Sequence, residues 1–185
     1  MPGTRFATTF DGLPLILPIF PLPGAIVLPG QLLPLNIFEP RYLNMFLDCL
    51  GHGRIIGMIQ PLGDVGSEPV PVHPIGCAGR VSAFQETPDG RLLVNLTGVC
   101  RFAVTSELEL YRGYRRVEAS WDEFRSDFEP ASEGELSLGD LEPALRAYFA
   151  AQNSEPRWDT LQKFSAAGLI DFLAMTLPFG PLTKQ

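Results

Sequence analysis

Lysine is almost missing from this chain: among 185 residues only Lys163 and Lys184 occur, and histidine is limited to His52 and His73. A phosphate-binding loop of the form GxxxxGK[ST] needs a lysine between glycine and a hydroxyl residue, so its absence excludes P-loop nucleotide hydrolysis. A Ser/Lys proteolytic dyad would have to draw on Lys163 near Ser165, a setting that reads as a solvated helix surface. There is no GxSxG elbow, and two histidines offer few bases for nucleophilic catalysis. No cofactor fingerprint is present either. The sequence therefore predicts neither a catalytic residue nor a cofactor.

Charge is absent from a whole stretch: no charged residue lies between Gly12 and Phe38. Length and hydropathy alone suggest a membrane span or a secretory signal there. Pro14, Pro18, Pro21, Pro23, Pro29 and Pro34 exclude both, because each interior proline would cost a helix roughly 3 kcal/mol. The run must be short extended segments and turns, its prolines placed at sheet edges or bulges. Leu15–Phe20 reads as one strand, Pro21–Gly24 and Pro29-Gly30 as turns, and Ile26–Leu28 as a brief extended piece. Leu33, Leu35 and Ile37 then alternate with Pro34 and Asn36, the period of a half-buried strand. From Pro40 the period changes. Leu43, Phe46, Leu47 and Leu50 fall at helical spacing, and Gly51 sits where a left-handed residue commonly ends a helix.

Cysteine is sparse and odd in number. Cys49, Cys77 and Cys100 lie scattered in apolar segments and read as reduced core residues of a cytoplasmic protein. Cys49-x-x-His52 and His73-x-x-x-Cys77 could supply four zinc ligands if brought together, but structural sites favour two tight knuckles, so no metal is expected. Asp64 and Glu68 stand in a Pro/Gly loop, where carboxylates serve solubility and lack the burial that separates catalytic pKa values. With 21 acidic against 14 basic residues the formal charge is −7. That balance repels anionic membranes and nucleic-acid backbones.

Further along, Arg54–Gln60 reads as a buried strand and Pro61–Pro74 as an exposed loop. Ile75–Thr87 and Arg91–Leu96 form a hairpin around Pro88-Asp89-Gly90. Gly98 marks a bend, Arg101–Leu108 continues the sheet, and Val117, Ala119 and Trp121 alternate in a final strand. Asp122–Asp140 is acidic and reads as a solvated linker touching the sheet through Phe124 and Phe128. Helices follow: one with Asp140 as N-cap, Pro143 in its first turn and an apolar face of Leu141, Leu145, Tyr148 and Phe149; a short one at Trp158 and Leu161; and one over Ala166–Leu177 that Pro178 ends.

Several segments in this order resemble the Lon protease N-terminal domain, which occurs on the ATP-dependent protease and as stand-alone bacterial proteins. They are LPIFPL (Leu17–Leu22), LPG (Leu28–Gly30), IFEPRY (Ile37–Tyr42), IGCAGR (Ile75–Arg80), DGR (Asp89–Arg91), GVCRF (Gly98–Phe102) and the helix SAAGLIDFLAMTLPF (Ser165–Phe179). The resemblance implies a mainly β protein with α: a PUA-like, partly closed β-barrel with one internal helix, followed by a helical subdomain. The expected division is a barrel over 12–121, an acidic linker over 122–140 and helices over 141–185. Stand-alone members continue with one more helix, so the helical part is expected to be truncated or short-tailed.

By the same resemblance, the expected function is non-catalytic capture of unfolded or tagged polypeptides, as an adaptor in proteolysis or quality control, with a separate protease as a candidate partner. Arg41 and Arg80 sit inside these motifs. Either they brace Glu39 or carbonyl groups, or they bind an acidic group or chain end of a peptide, with Phe38, Tyr42 and the Pro61–Pro74 loop as neighbours. Phe38, Arg41, Tyr42 and Arg80 are the expected peptide-binding residues, and an apolar cleft between barrel and helices is the expected surface. The competing expectations are a small-molecule enzyme with an unrecognised site, which requires convergent buried polar groups, and a PUA-like RNA binder, which requires a basic groove of Arg101, Arg112, Arg115 and Arg116.

Overall fold

A computed structural model describes residues 8–63, 70–129, 138–161 and 163–184. The first seven residues, the Asp64 and Glu68 pair and the middle of the acidic stretch lie outside the described residues. Six strands, β1 (Ile16–Pro21), β2 (Leu32–Ile37), β3 (Ile55–Ile59), β4 (Ile75–Glu86), β5 (Leu92–Glu107) and β6 (Arg115–Ser120), form one mixed sheet, and helix α1 (Pro40–Gly51) separates β2 from β3. The order is β2-β5-β4-β3-β1-β6, and β5 also pairs with β6. Five strands thus close into a ring, with β2 attached outside it. Among these pairings only β1 with β3 is parallel. Over the described residues, strand and helix contents are about equal.

The prolines sit where a missing N–H does least harm. Pro34 lies on β2, which pairs with β5 alone. β1 is not an edge strand, contrary to expectation. Its pairing with β6 covers Ile16 to Ile19 and its pairing with β3 begins only at Ile19, so Pro18 has a single neighbour at its own level. The Pro29-Gly30 turn forms as expected, while the turn expected over Pro21–Gly24 is confined to Pro23-Gly24 because Pro21 ends β1, and Ile26–Leu28 joins no ladder.

Two apolar clusters hold this unit. In one, α1 buries Tyr42, Met45, Phe46 and Cys49 against Phe20, Ile37, Met58, Val81 and Leu96. The other gathers Leu17, Ile19, Ile55, Phe102, Val117 and Trp121, with Phe124 closing it. Gly57 and Gly76 leave room for the Phe102 ring, which a Cβ on either would meet at 2.8 and 2.6 Å. The helix face therefore differs from the expected one. Leu47 is 58% exposed, because the stripe one residue earlier, also at i, i+3, i+4 and i+7, is the one turned to the sheet. Gly51 is helical; the left-handed residues are Gly53 and Arg54, whose N–H closes the turn onto the Cys49 carbonyl at 2.9 Å.

The hairpin at Pro88-Asp89-Gly90 is as expected, with Gly90 at φ +79 and its N–H donating to the Thr87 carbonyl. Gly98 does not end a strand. β5 runs on through it, with a register shift opposite Ala78 and Gly79 that leaves Val99 as the extra residue. Residues before the shift carry β2 and those after it pair with β6. At the shift the Pro29-Gly30 turn crosses β5: Gly30 donates to the Gly98 carbonyl at 2.9 Å, and Gly98 donates to the Gln31 carbonyl at 2.8 Å.

The expected solvated linker begins instead as a 3-10 segment over Asp122–Phe128 that buries Phe124. Asp127 pairs with Arg101 and accepts its backbone N–H at 2.9 Å. The chain divides into two compact units, Met1–Glu129 with Phe179–Gln185, and Pro130–Pro178. The second contains α2 (Leu138–Ala151), α3 (Trp158–Leu161) and α4 (Ala166–Thr176), packed through Leu145, Leu161, Leu169 and Leu173. α2 starts ahead of Asp140, so that residue is not its N-cap and Pro143 is interior. Ser165 caps α4 by accepting the Gly168 N–H at 3.1 Å. A short α5 (Pro181–Lys184) belongs to the first unit, where the Lys184 ammonium donates to the Gly24 carbonyl at 3.1 Å.

A methyl group at Gly98 would overlap the Leu28 carbonyl oxygen, and the neighbour is backbone that cannot step aside. Gly98→Ala is therefore expected to lower unfolding free energy by about 2 kcal/mol or more, the scale of overpacking, as read from urea denaturation midpoints.

Candidate functional site

Residues from four places in the first unit meet around a cleft of about 600 Å³. The first turn of α1 supplies Arg41 and Tyr42, the end of β1 and the following turn supply Pro21 and Pro23, and Pro61 with Val70 come from beyond β3. The β5–β6 connection adds Leu108 and Leu110, with Glu107 and Arg115 at its base. Prolines and one tyrosine thus make much of the wall, a surface with few rotamers to lose when something binds.

The wall is braced rather than loose. Gln60 is fully buried, accepting the Gly24 N–H at 2.9 Å and donating to the Ala25 carbonyl at 3.0 Å, so its amide fixes the turn after Pro23. The Tyr42 ring lies tilted against Phe20 with centres 4.1 Å apart, and burial pushes its hydroxyl pKa up. Arg115 grips Glu107 through two hydrogen bonds of 2.6 and 2.7 Å and donates a third, 2.7 Å long, to the Val70 carbonyl. Across the connection, Arg112 pairs with Asp48 of α1 and Asn44 donates to the Arg112 carbonyl at 3.0 Å. The Tyr114 hydroxyl donates to the other Asp48 oxygen at 3.0 Å. The connection is thereby tied to the helix.

Of the four residues singled out from the sequence, Arg41 and Tyr42 line this cleft. Arg41 holds Glu39 at 2.9 Å, as its bracing role requires, and its guanidinium lies 4.7 Å from the Tyr42 ring centre. Phe38, 61% exposed, lines a smaller neighbouring hollow of about 270 Å³ that shares Tyr42, and Arg91 lies over its ring. Arg80 is not brought to them. It pairs with Ile55 across β3–β4, next to Val81, and so falls on the opposite face of the sheet from Tyr42. Sequence reasoning missed Leu108 and Leu110 and placed Arg115 only in the competing RNA reading. Leu110 is 65% exposed, and an apolar run of Leu108, Leu110 and Tyr111 inside a tight connection was the available signal.

The arginines proposed for an RNA groove do not form an uncompensated basic strip: Arg101, Arg112 and Arg115 each hold a carboxylate. Among the described residues no group of His, Cys, Asp and Glu is arranged to hold a metal ion. Cys49, Cys77 and Cys100 are free and buried, and burial pushes all three thiols up, Cys49 and Cys100 to about 12. Among the same residues no helix is long and apolar enough to cross a membrane.

The family model of the ATP-dependent protease La (Lon) substrate-binding domain matches residues 16–185. The chain belongs to this family. A Lon protease of Flavobacterium johnsoniae is 30% identical over 96 residues, 51% of this chain and 12% of that protein. One from Geobacter metallireducens is 26% identical over 109 residues, 57% of this chain and 13% of that protein. The chain thus spans about an eighth of the length of the curated relatives it matches. A solved Lon N-terminal domain protein from Xanthomonas campestris has 29% identity and a TM-score of 0.59, covering 90% of this chain and 85% of that one. The N-terminal domain of Mycobacterium avium complex Lon protease, at 13% identity, shares the fold with a TM-score of 0.61 over 91% of this chain and 87% of that one. In this Lon-type domain the family-like segments meet in space: LPG crosses GVCRF at Gly98, and IFEPRY carries Arg41 and Tyr42 to the cleft.

Burial and the Asp48 carboxylate raise the Tyr114 hydroxyl from its ordinary value near 10 to about 12. Between those values the folded chain keeps a proton that the unfolded chain has lost, so stability falls with rising pH, as it also does for the buried thiols from about pH 9. Chemical denaturation should show that fall, and Tyr114→Phe should make it less steep above pH 10 while the thiol component, which runs from about pH 9 to about 12, remains.

Proposed function

We propose that this chain is a non-catalytic substrate-binding module that holds unfolded or tagged polypeptides for a separate protease in the bacterial cytoplasm. The observation that carries the reading is the proline- and tyrosine-walled cleft of about 600 Å³, found in a chain of the Lon substrate-binding domain family. Such a wall suits an extended peptide. Its apolar surface takes side chains by burial, and its braced turns avoid the ordering cost that weakens mobile sites. Arg41 and Tyr42 form one side of the seat and Leu108 and Leu110 the other, with the neighbouring hollow at Phe38 receiving a further side chain.

Strand addition is the less favoured mode. β2 offers the free edge of the sheet, but Pro34 interrupts its donors. Side-chain capture in the cleft therefore dominates this reading, and peptide preference should follow apolar content more than backbone pairing.

Fluorescence anisotropy with a labelled unfolded polypeptide tests it. Saturable binding is expected, and Leu110→Asp, at an exposed position that leaves the fold intact, should weaken it about tenfold or more with an unchanged melting temperature. Absence of saturable binding, or equal affinity in the variant, would remove this cleft from the function.

A further inference from the structure

A second cleft, of about 480 Å³, opens beside the C-terminal half of α1 and shares no lining residue with the first. Ile16 and Pro18 of β1 form one apolar wall, and Tyr111 and Tyr114, packed edge to face at 5.7 Å, form another. Its two principal charges are unequally served. Asp48 has a partner on each oxygen, Arg112 on one and the Tyr114 hydroxyl on the other.

Arg116 is less well served. No carboxylate pairs with it among the described residues, although Arg101, Arg112 and Arg115 each have one. Among the described residues its buried Nε also has no hydrogen-bond partner. One terminal nitrogen reaches the Glu109 carbonyl only at 3.4 Å, and the guanidinium otherwise lies 4.8 Å from the Tyr111 ring centre. Buried donors are nearly always matched, and a guanidinium fork is matched best by a planar anion.

We infer that this second cleft is a binding site for a monocarboxylate carried on a flat apolar body, with Arg116 as its anion anchor and the Tyr111–Tyr114 corner and Ile16 as its apolar seat. Charge selects the carboxylate over a phosphate. One unmatched guanidinium balances one negative charge, whereas a phosphate ester brings nearly two into a cleft already walled by Asp48. The volume is that of a small-ligand pocket, and the site is independent of polypeptide capture in the first cleft.

Titration calorimetry with 4-hydroxyphenylacetate and its amide, and with N-acetyl-Leu-Phe and its C-terminal amide, tests the assignment and separates a free small acid from a peptide chain end. At least one acid should bind, and its amide should bind about tenfold more weakly or worse, the weight of hydrogen bonds to a charged group. Arg116→Gln should erase that difference. Ile16→Glu, at a position 47% exposed, should block the acid by placing a carboxylate in the cleft, while leaving polypeptide binding unchanged. The inference is overturned if neither acid binds at millimolar concentration, if acid and amide bind equally, or if the Ile16→Glu variant melts like the parent and still takes the acid.

Discussion

The crossing of the Leu28–Gln31 backbone over β5 at Gly98 is the constraint on which the first unit depends. Two hydrogen bonds fix it, and the absence of a side chain at Gly98 makes it possible. At the same place β5 gains its extra residue, so one long strand changes neighbours there: β2 before the crossing, β6 after it. Ring closure through β6, the seating of the proline turns and the position of β2 all follow from that local geometry. A bulge is normally a means of bending a strand. Here it also separates a closed ring from an attached outer strand.

The cleft depends on a second device, a buried amide. Gln60 offers a donor and an acceptor in an apolar interior, and the backbone of Gly24 and Ala25 satisfies both. A turn rich in proline cannot brace itself through a ladder, so a side chain from the neighbouring strand supplies the missing bonds. Arg115 does the same on the far wall, joining Glu107 to the Val70 carbonyl. The wall of this cleft is thus irregular backbone held by side chains.

Much of the fold was legible because its signals are local. The alternation over Leu33–Ile37, the Asp-Gly hairpin and the change of period at Pro40 each involve a handful of adjacent residues. The face of α1 was not legible: Leu43, Phe46, Leu47 and Leu50 and the stripe Tyr42, Met45, Phe46 and Cys49 have the same spacing, and only the sheet decides between them. Gly98 could be seen to matter but not why, since its partner is a turn some seventy residues away in sequence. The candidate site was half legible. Arg41 and Tyr42 stood out in a family-like segment, while Arg80 was drawn in by its motif and excluded by strand parity. Leu110 and Arg115 reach the cleft only through the β5–β6 connection, whose attachment to α1 no spacing rule reveals.

The ladder between β1 and β6 joins residues about a hundred positions apart, from Ile16 with Glu118 to Ile19 with Arg115. During synthesis at roughly 5–20 residues per second, β1 leaves the ribosome about 5–20 s before its last neighbour exists. For that interval the chain displays an uncharged, apolar segment to the crowded surroundings of a nascent polypeptide. The six prolines between Pro14 and Pro34 then act as sentries as well as shapers, denying that segment the uninterrupted donors on which intermolecular cross-β stacking is built.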